Sequence, residues 1–240
     1  MNVKWKIISL VLLFSIIIIP LGVYSADTNN SSQNNSSTIL MDSLNLSHNN
    51  TTILKVPDLL EPATNSTGPT ALQEVLSYYG TDIGIDELVN LTNNTENGTF
   101  PSNIAKAANT LGFKSEIAEN LSLDSLQQYV DQGVPVIVNI QSGVNSTENV
   151  NWTSIHQNGE YMVVLGVDSQ NVYLEDPSTI GSTGYIPNQE FLDRWHSSFL
   201  NGTNVTNSTN ATISNITYSH LGIIITGGTS PSRPLFMKIN

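Results

Sequence analysis

The chain has 240 residues, of which 39% are hydrophobic, enough for one ordinary core and too few for two large ones. Its 8 basic and 20 acidic residues give a net charge of −12, which argues against binding to nucleic acid or to anionic lipid. The absence of cysteine excludes disulfides, thiolate metal sites and thiol catalysis.

The N-terminal segment has the pattern of an export signal. Lys4 and Lys6 precede an apolar run over residues 7–23, and the small residues of VYSA then offer a cleavage site. This pattern predicts a signal peptide over residues 1–25 and a protein located outside the cell or at its surface. An uncleaved membrane anchor is the alternative, because the apolar run lies at the lower limit for a membrane span.

Two segments are rich in Asn, Ser and Thr. Residues 26–52 contain too few apolar side chains for a core and are predicted to form a linker. Residues 201–217 are predicted to form a long exposed loop within a globular domain over residues 53–228, and residues 229–240 form a tail. Asn-x-Ser/Thr sequons recur roughly twenty times, which predicts glycosylation at some of them unless the bias of the composition alone produces them.

Four helices are predicted in the first half of the domain. GPTALQEVLSYYG places Ala71, Leu72, Val75 and Leu76 on one helical face and begins at about Gly68. IDELVNL gives a short second helix, and PSNIAKAANTLG gives a third that ends at a glycine. SLDSLQQYVDQG gives a fourth, which also ends at a glycine.

The second half changes to the period of β-strands. VPVIVNI, EYMVVLGVD and NVYLEDP are short β-rich runs, and the last two are separated by the tight turn of a hairpin. IPNQEFLDRW returns to helix, and HLGIIIT supplies a closing strand. Helices followed by antiparallel strands predict an α+β domain, with the N-terminal helices packed on an antiparallel sheet.

The order of these segments resembles the bacteriocin-processing cysteine peptidases that cleave double-glycine leaders, family thirty-nine of the papain-like peptidases. The resemblance covers residues 56–195 and a last strand to Thr226, and it implies a papain-like fold. In that family a Gln lies six residues before a nucleophilic Cys, a His begins the VVLG-type strand, and an Asp follows the next strand. The matching positions here are Glu61, Thr67, Glu160 and Asp176.

Only the Asp is retained at these positions, and each change works against the family's reaction. A threonine hydroxyl at Thr67 stays protonated where a cysteine at a helix N-terminus would form a thiolate. Glu160 is a poor base toward an alcohol, and Glu61 replaces an oxyanion donor by a negative charge.

Ordinary structural roles also fit the same residues. Thr67 is suited to cap the helix by accepting the amide of Thr70, and Asp176 is suited to a turn before proline. Glu160 fits a solvated carboxylate at a strand edge. His156, four residues before the matching position, is a candidate for a displaced base.

Two classes of function remain. The first is a catalytically degenerate domain without a cofactor that binds a peptide or a cell-surface polymer in the family's substrate groove. The alternative is a peptidase of altered chemistry, with Thr67 as the nucleophile or with a calcium or magnesium ion held by oxygen ligands. Because Glu61, Glu160 and Asp176 would gather at one end of the groove, we expect a basic group of a peptide ligand to neutralise them.

Overall fold

The computed structural model describes residues 51–143, 150–156, 159–179, 181, 183–201 and 214–227. The predicted signal peptide, almost all of the predicted linker and the tail lie outside these residues. In the described part, none of the helices is long and apolar enough to cross a membrane.

The described residues form five α-helices, a short 3-10 helix (Trp152–Ser154) and eight strands. The helices are α1 (Thr67–Tyr78), α2 (Ile85–Leu91), α3 (Pro101–Thr110), α4 (Leu123–Asp131) and α5 (Asn188–Arg194). The strands are β1 (Lys114–Ala118), β2 (Val136–Gln141), β3 (Gly159–Val167), β4 (Asn171–Glu175), β5 (Gly184–Pro187), β6 (His196–Asn201), β7 (Ser214–Ser219) and β8 (Gly222–Thr226).

Six of the strands form one antiparallel sheet in the order β1-β8-β2-β3-β4-β5. This sheet confirms the predicted α+β class, the β3–β4 hairpin and the closing strand. The first half of the domain, for which the sequence predicted only helices, also contains a strand, because β1 lies between α3 and α4. It is a short edge strand in which Ile117 is the one large apolar side chain, so it lacks the apolar run that marks the central strands.

Helix α1 packs on β3 and positions the site described below. Its predicted apolar face is buried, since Ala71, Leu72, Val75 and Leu76 have no exposed surface. The helix begins at Thr67, one residue earlier than predicted. The face that the sequence pattern identifies is therefore the one that holds α1 against the sheet.

Strands β6 and β7 form a separate two-stranded sheet where the sequence predicted an exposed loop over residues 201–217. Asn201 and residues 214–217 lie in these strands, whereas residues 202–213 are outside the described part. The prediction was wrong at both ends of the loop. Ile216 and Tyr218 alternate with more exposed Thr217 and Ser219, a strand pattern that the Asn- and Thr-rich composition obscured.

An extended segment at residues 53–61, which we call the strap, joins the domain before α1. The Leu54 amide donates to the Leu165 carbonyl at 2.9 Å, and the Glu61 amide donates to the Pro177 carbonyl at 2.7 Å. Leu54 is also buried in the core. The strap is therefore fastened near both ends, on β3 and on the turn that follows β4.

Candidate functional site

The N-terminus of α1 faces the start of β3. Thr67 is the first helical residue, and the Thr70 amide donates to the Ser66 carbonyl at 3.1 Å rather than to the Thr67 hydroxyl. The Thr67 hydroxyl instead accepts a hydrogen bond from the Tyr161 amide at 3.2 Å. The interpretation of Thr67 as a helix cap is therefore wrong, because its side chain joins the helix to the sheet.

Glu61 ends the strap and reaches the residue before the helix. Its Oε2 accepts the Ser66 amide at 2.8 Å and the Ser66 hydroxyl at 3.3 Å. Burial raises the pKa of Glu61, the two bonds from Ser66 lower it, and the charge of Asp176 raises it. The position where the family resemblance implies an oxyanion donor is therefore filled by a hydrogen-bonded carboxyl group.

Glu160 lies near the start of β3 and pairs with Ile140 of β2. Its interpretation as a strand-edge carboxylate is wrong, because β3 is a central strand and the residue is half-buried. Burial raises the pKa of Glu160, a hydrogen bond from Ser142 lowers it, and the charges of Asp176 and Glu61 raise it. The positive charge of Arg194 acts in the opposite direction and lowers that pKa.

Asp176 directly follows β4, the antiparallel neighbour of β3. Its Oδ1 accepts the Ser178 amide at 2.9 Å and the Ser178 hydroxyl at 2.7 Å, which is the arrangement of a turn residue. The carboxylate therefore stabilises the turn, and its charge also acts on Glu61 and Glu160.

Glu61, Thr67 and Glu160 line a shared cleft of about 450 Å³, including space open to solvent. Tyr161 and Phe199 add aromatic surface to it. The lining contains two carboxylates and no Lys, Arg or His side chain among the described residues, and Asp176 is not part of it. The other lining residues are Thr64, Asn65, Gly68, Asn97, Gly98 and Thr99.

His156 does not reach this cleft. Its ring lies 5.0 Å from the ring of His196, measured between centroids, and neither histidine is in the cleft lining. The described contacts therefore do not support His156 as a displaced base for Thr67.

Sequence reasoning missed Arg194, the cation whose charge acts on Glu160. The guanidinium lies 3.9 Å from the centroid of the Trp152 ring and forms an ion pair with Glu190 at 3.2 Å. Its Nε donates to the Gln141 carbonyl at 2.9 Å. The i, i+4 spacing of Glu190 and Arg194 on a helix was the available signal for the ion pair. No local sequence pattern predicts that Arg194 also acts on Glu160, which lies on a distant strand.

The carboxylates do not suit the metal-assisted alternative. Among the described residues, no group of three or more His, Asp or Glu side chains is arranged to hold a metal ion. Calcium takes six or more oxygen ligands, and the candidate set offers three carboxyl groups and one hydroxyl. The residues at this site therefore do not fit a calcium or magnesium ion.

Comparison with known proteins places these residues in a family context. Residues 47–199 match the model described as the Peptidase_C39 like family. The structure of a C39-like peptidase from Bacillus anthracis has a TM-score of 0.55 at 17% identity, covering 75% of this chain and all of that chain. At this identity the similarity is one of fold, which confirms the papain-like expectation.

Two further solved structures have TM-scores of 0.49. The peptidase domain of Streptococcus ComA, a bi-functional ABC transporter in a quorum sensing pathway, is 20% identical over 70% of this chain and 95% of that chain. A double glycine motif protease from an AMS/PCAT transporter, solved with its leader peptide, is 18% identical over 72% and 93% of the two chains. No curated protein gives a significant match to this sequence.

Proposed function

The chain belongs to the Peptidase_C39 like family. We propose that it is a non-catalytic member of this family and that its cleft binds a cationic group of a peptide or cell-surface polymer. The observation that carries the proposal is the composition of the cleft, with Glu61 and Glu160 in its wall and no basic residue among the described lining. A ligand that brings a positive charge is the natural complement of such a wall.

The contacts of Thr67 support the absence of peptidase activity. A serine or threonine nucleophile needs a base that removes its proton. The hydrogen bond that the structure gives the Thr67 hydroxyl comes from the Tyr161 backbone amide, which supplies no base. Thr67 is also only 6% exposed, so the scissile bond of a peptide in the cleft would have poor access to its hydroxyl group.

The electrostatics of the cleft support a cationic ligand. Burial raises the pKa values of Glu61 and Glu160, and the charge of Asp176 raises both further, so their ionised forms are only partly compensated in the unliganded protein. Arg194 compensates Glu160 in part, but it is already bonded to Glu190 and to the Gln141 carbonyl. An ammonium or guanidinium group entering the cleft would supply the missing positive charge.

The proposal places this activity outside the cytosol. The predicted export signal and the many sequons support a glycosylated protein at the cell surface. Asn97 begins a sequon, is exposed and belongs to the cleft lining. A glycan at this position would stand at the mouth of the cleft and restrict the size of the ligand.

The purified full chain is expected not to cleave double-glycine leader peptides, because it has no thiol and the described contacts of Thr67 include no base. Iodoacetamide should change nothing, since the chain contains no cysteine. The measurement is product formation by mass spectrometry, with a double glycine motif protease as the positive control. Turnover that disappears in Thr67→Ala would instead support the enzyme of altered chemistry.

A further inference from the structure

Outside the cleft, two buried carboxyl side chains beneath the strap meet a third that belongs to the strap itself. Glu74 of α1 is completely buried, and Glu175 at the end of β4 is 2% exposed. Asp58 belongs to the strap, and its side chain faces Glu175. In the described residues the ion pair is that of Arg194 with Glu190, so none of the three carboxyl groups has a basic partner.

The buried oxygens of these carboxyl groups outnumber the hydrogen-bond donors that reach them. The Leu59 amide donates to Glu74 Oε1 at 3.4 Å, and the Gly181 amide donates to Asp58 Oδ2 at 2.7 Å. Three buried oxygens receive no donor: Asp58 Oδ1, Glu74 Oε2 and Glu175 Oε1. An unpartnered buried carboxylate oxygen is costly, but a protonated carboxyl group carries its own donor. The cluster is therefore satisfied only when it holds at least one proton.

The strap lies directly over this cluster. It enters across Gly166, where an added Cβ would come within 2.7 Å of the carbonyl of Thr52, the residue just before the strap, so the backbone at this point passes very close to β3. It leaves through the bond from the Glu61 amide to the Pro177 carbonyl. Between these points, Asp58 and the Leu59 amide are the strap groups in contact with the buried carboxyl cluster.

We propose that the strap is a pH-operated clasp, held by protons on the buried carboxyl groups of Glu74 and Glu175, which the strap residue Asp58 faces, and released when those protons are lost. Ionisation leaves like charges without donors under the strap, and moving the strap outward admits water to them. Because Glu61 ends the strap, release also withdraws one of the two carboxylates from the cleft. The clasp goes beyond the proposed binding function and does not depend on it.

The surroundings of the cluster give the direction of the response. Burial raises the pKa of Glu74 to about 9, and the charges of Glu175, Asp58 and Asp176 contribute. Burial raises the pKa of Glu175 to about 7, with Asp58 and Asp176 as further causes. The charged groups that face the pair from the strap and from the end of β4 are thus all acidic. Since both pKa values lie above the usual carboxyl range, the clasp is fully closed in acid and opens as pH rises through 7 and then 9.

The test is amide hydrogen exchange of the full chain, expressed as protection relative to an unstructured peptide at each pH. Protection of the Leu54, Leu59 and Glu61 amides should fall at least about tenfold from pH 6 to pH 8, since each proton lost changes the equilibrium up to tenfold per pH unit. Amides of the central strand β2 should keep their protection. This difference separates opening of the strap from global unfolding.

Two variants test the role of the cluster. In the double variant Glu74→Gln and Glu175→Gln the strap should remain protected at pH 8, because the amides supply donors without titrating. In Asp58→Asn the loss of protection from pH 6 to pH 8 should be smaller than in the wild type, because one of the charges that raise the pKa values of Glu74 and Glu175 is removed. Glu116→Gln, on the exposed face of β1, is the matched control and should respond as the wild type does. The clasp is refuted by strap protection that does not change with pH, by equal loss of protection in β2, or by a wild-type response in both cluster variants.

Discussion

Replacing Glu74 by glutamine is expected to stabilise the protein, and the gain should grow as pH rises. The carboxyl group of Glu74 is completely buried and its pKa is raised to about 9, mainly by burial. In the unfolded chain the same group titrates near 4.5, so above that pH folding must bind a proton. Glutamine is nearly isosteric with the neutral acid and removes this requirement.

The sign and size of the stability gain in Glu74→Gln follow from proton linkage. The stability that the raised pKa supports is present below pH 4.5 and is lost as pH rises toward 9, at about 1.4 kcal/mol per pH unit. The free energies of unfolding of wild type and Glu74→Gln should therefore converge near pH 4 and separate by about 3 kcal/mol at pH 7. Denaturant titrations from pH 4 to pH 9 measure this, with the exposed Glu87→Gln as control. Parallel curves would show that Glu74 is ionised in the folded protein.

Trp195→Ala is expected to cost about 3–5 kcal/mol of unfolding free energy, the usual range for removing a large buried aromatic side chain. The Trp195 ring is fully buried, stacks on the His220 ring at 4.8 Å and lies 5.0 Å from the Phe191 ring. Its Nε1 donates to the Leu221 carbonyl at 2.9 Å. The residue therefore joins the end of α5 to the segment before β8, and its loss opens a cavity between them.

Two further substitutions separate the causes of that loss. Trp195→Phe keeps most of the apolar contact and should cost less than the alanine substitution, because mainly the bond to Leu221 and part of the ring volume are lost. Tyr185→Ala removes an aromatic ring that is 65% exposed on the edge strand β5 and should cost under about 1 kcal/mol. Equal losses for Trp195→Ala and Tyr185→Ala would contradict the packing described for α5.

The sequence predicted the elements whose burial follows a regular period. Helix α1 was found because Ala71, Leu72, Val75 and Leu76 recur on one face, and β3 because its apolar residues form a continuous run. Strands β1 and β5 were missed because short edge strands carry few buried side chains. The β6–β7 pair was missed because β6 has only the two apolar residues Phe199 and Leu200, and β7 continues the Asn-, Ser- and Thr-rich run that precedes it.

The site was predictable only in part, because its bonds join distant parts of the chain. The resemblance located Glu61, Thr67 and Glu160, which the structure brings to one cleft. The bond from the Tyr161 amide to the Thr67 hydroxyl spans 94 residues, and no local pattern announces it. Glu74 on a helix also gives no sign of burial in the sequence, because the strap that covers it comes from a separate segment.

In the proposed function, Glu61 and Glu160 bind a cationic group in the cleft. Calorimetric titration of the full chain tests it with two tripeptides, both acetylated at the N-terminus and amidated at the C-terminus. One carries lysine at its centre and the other carries Nε-acetyl-lysine. The lysine peptide should bind at least about tenfold more tightly, a difference of about 1.4 kcal/mol. This preference should weaken in acid, since the pKa values of both carboxyl groups are raised and protonation removes their charge.

The double variant Glu61→Gln and Glu160→Gln should bind the two peptides equally, while the exposed-surface control Glu116→Gln should keep the wild-type preference. Equal binding of the two peptides by the wild type, no measurable binding of either, or a lysine preference that survives in the double variant would contradict the proposed function.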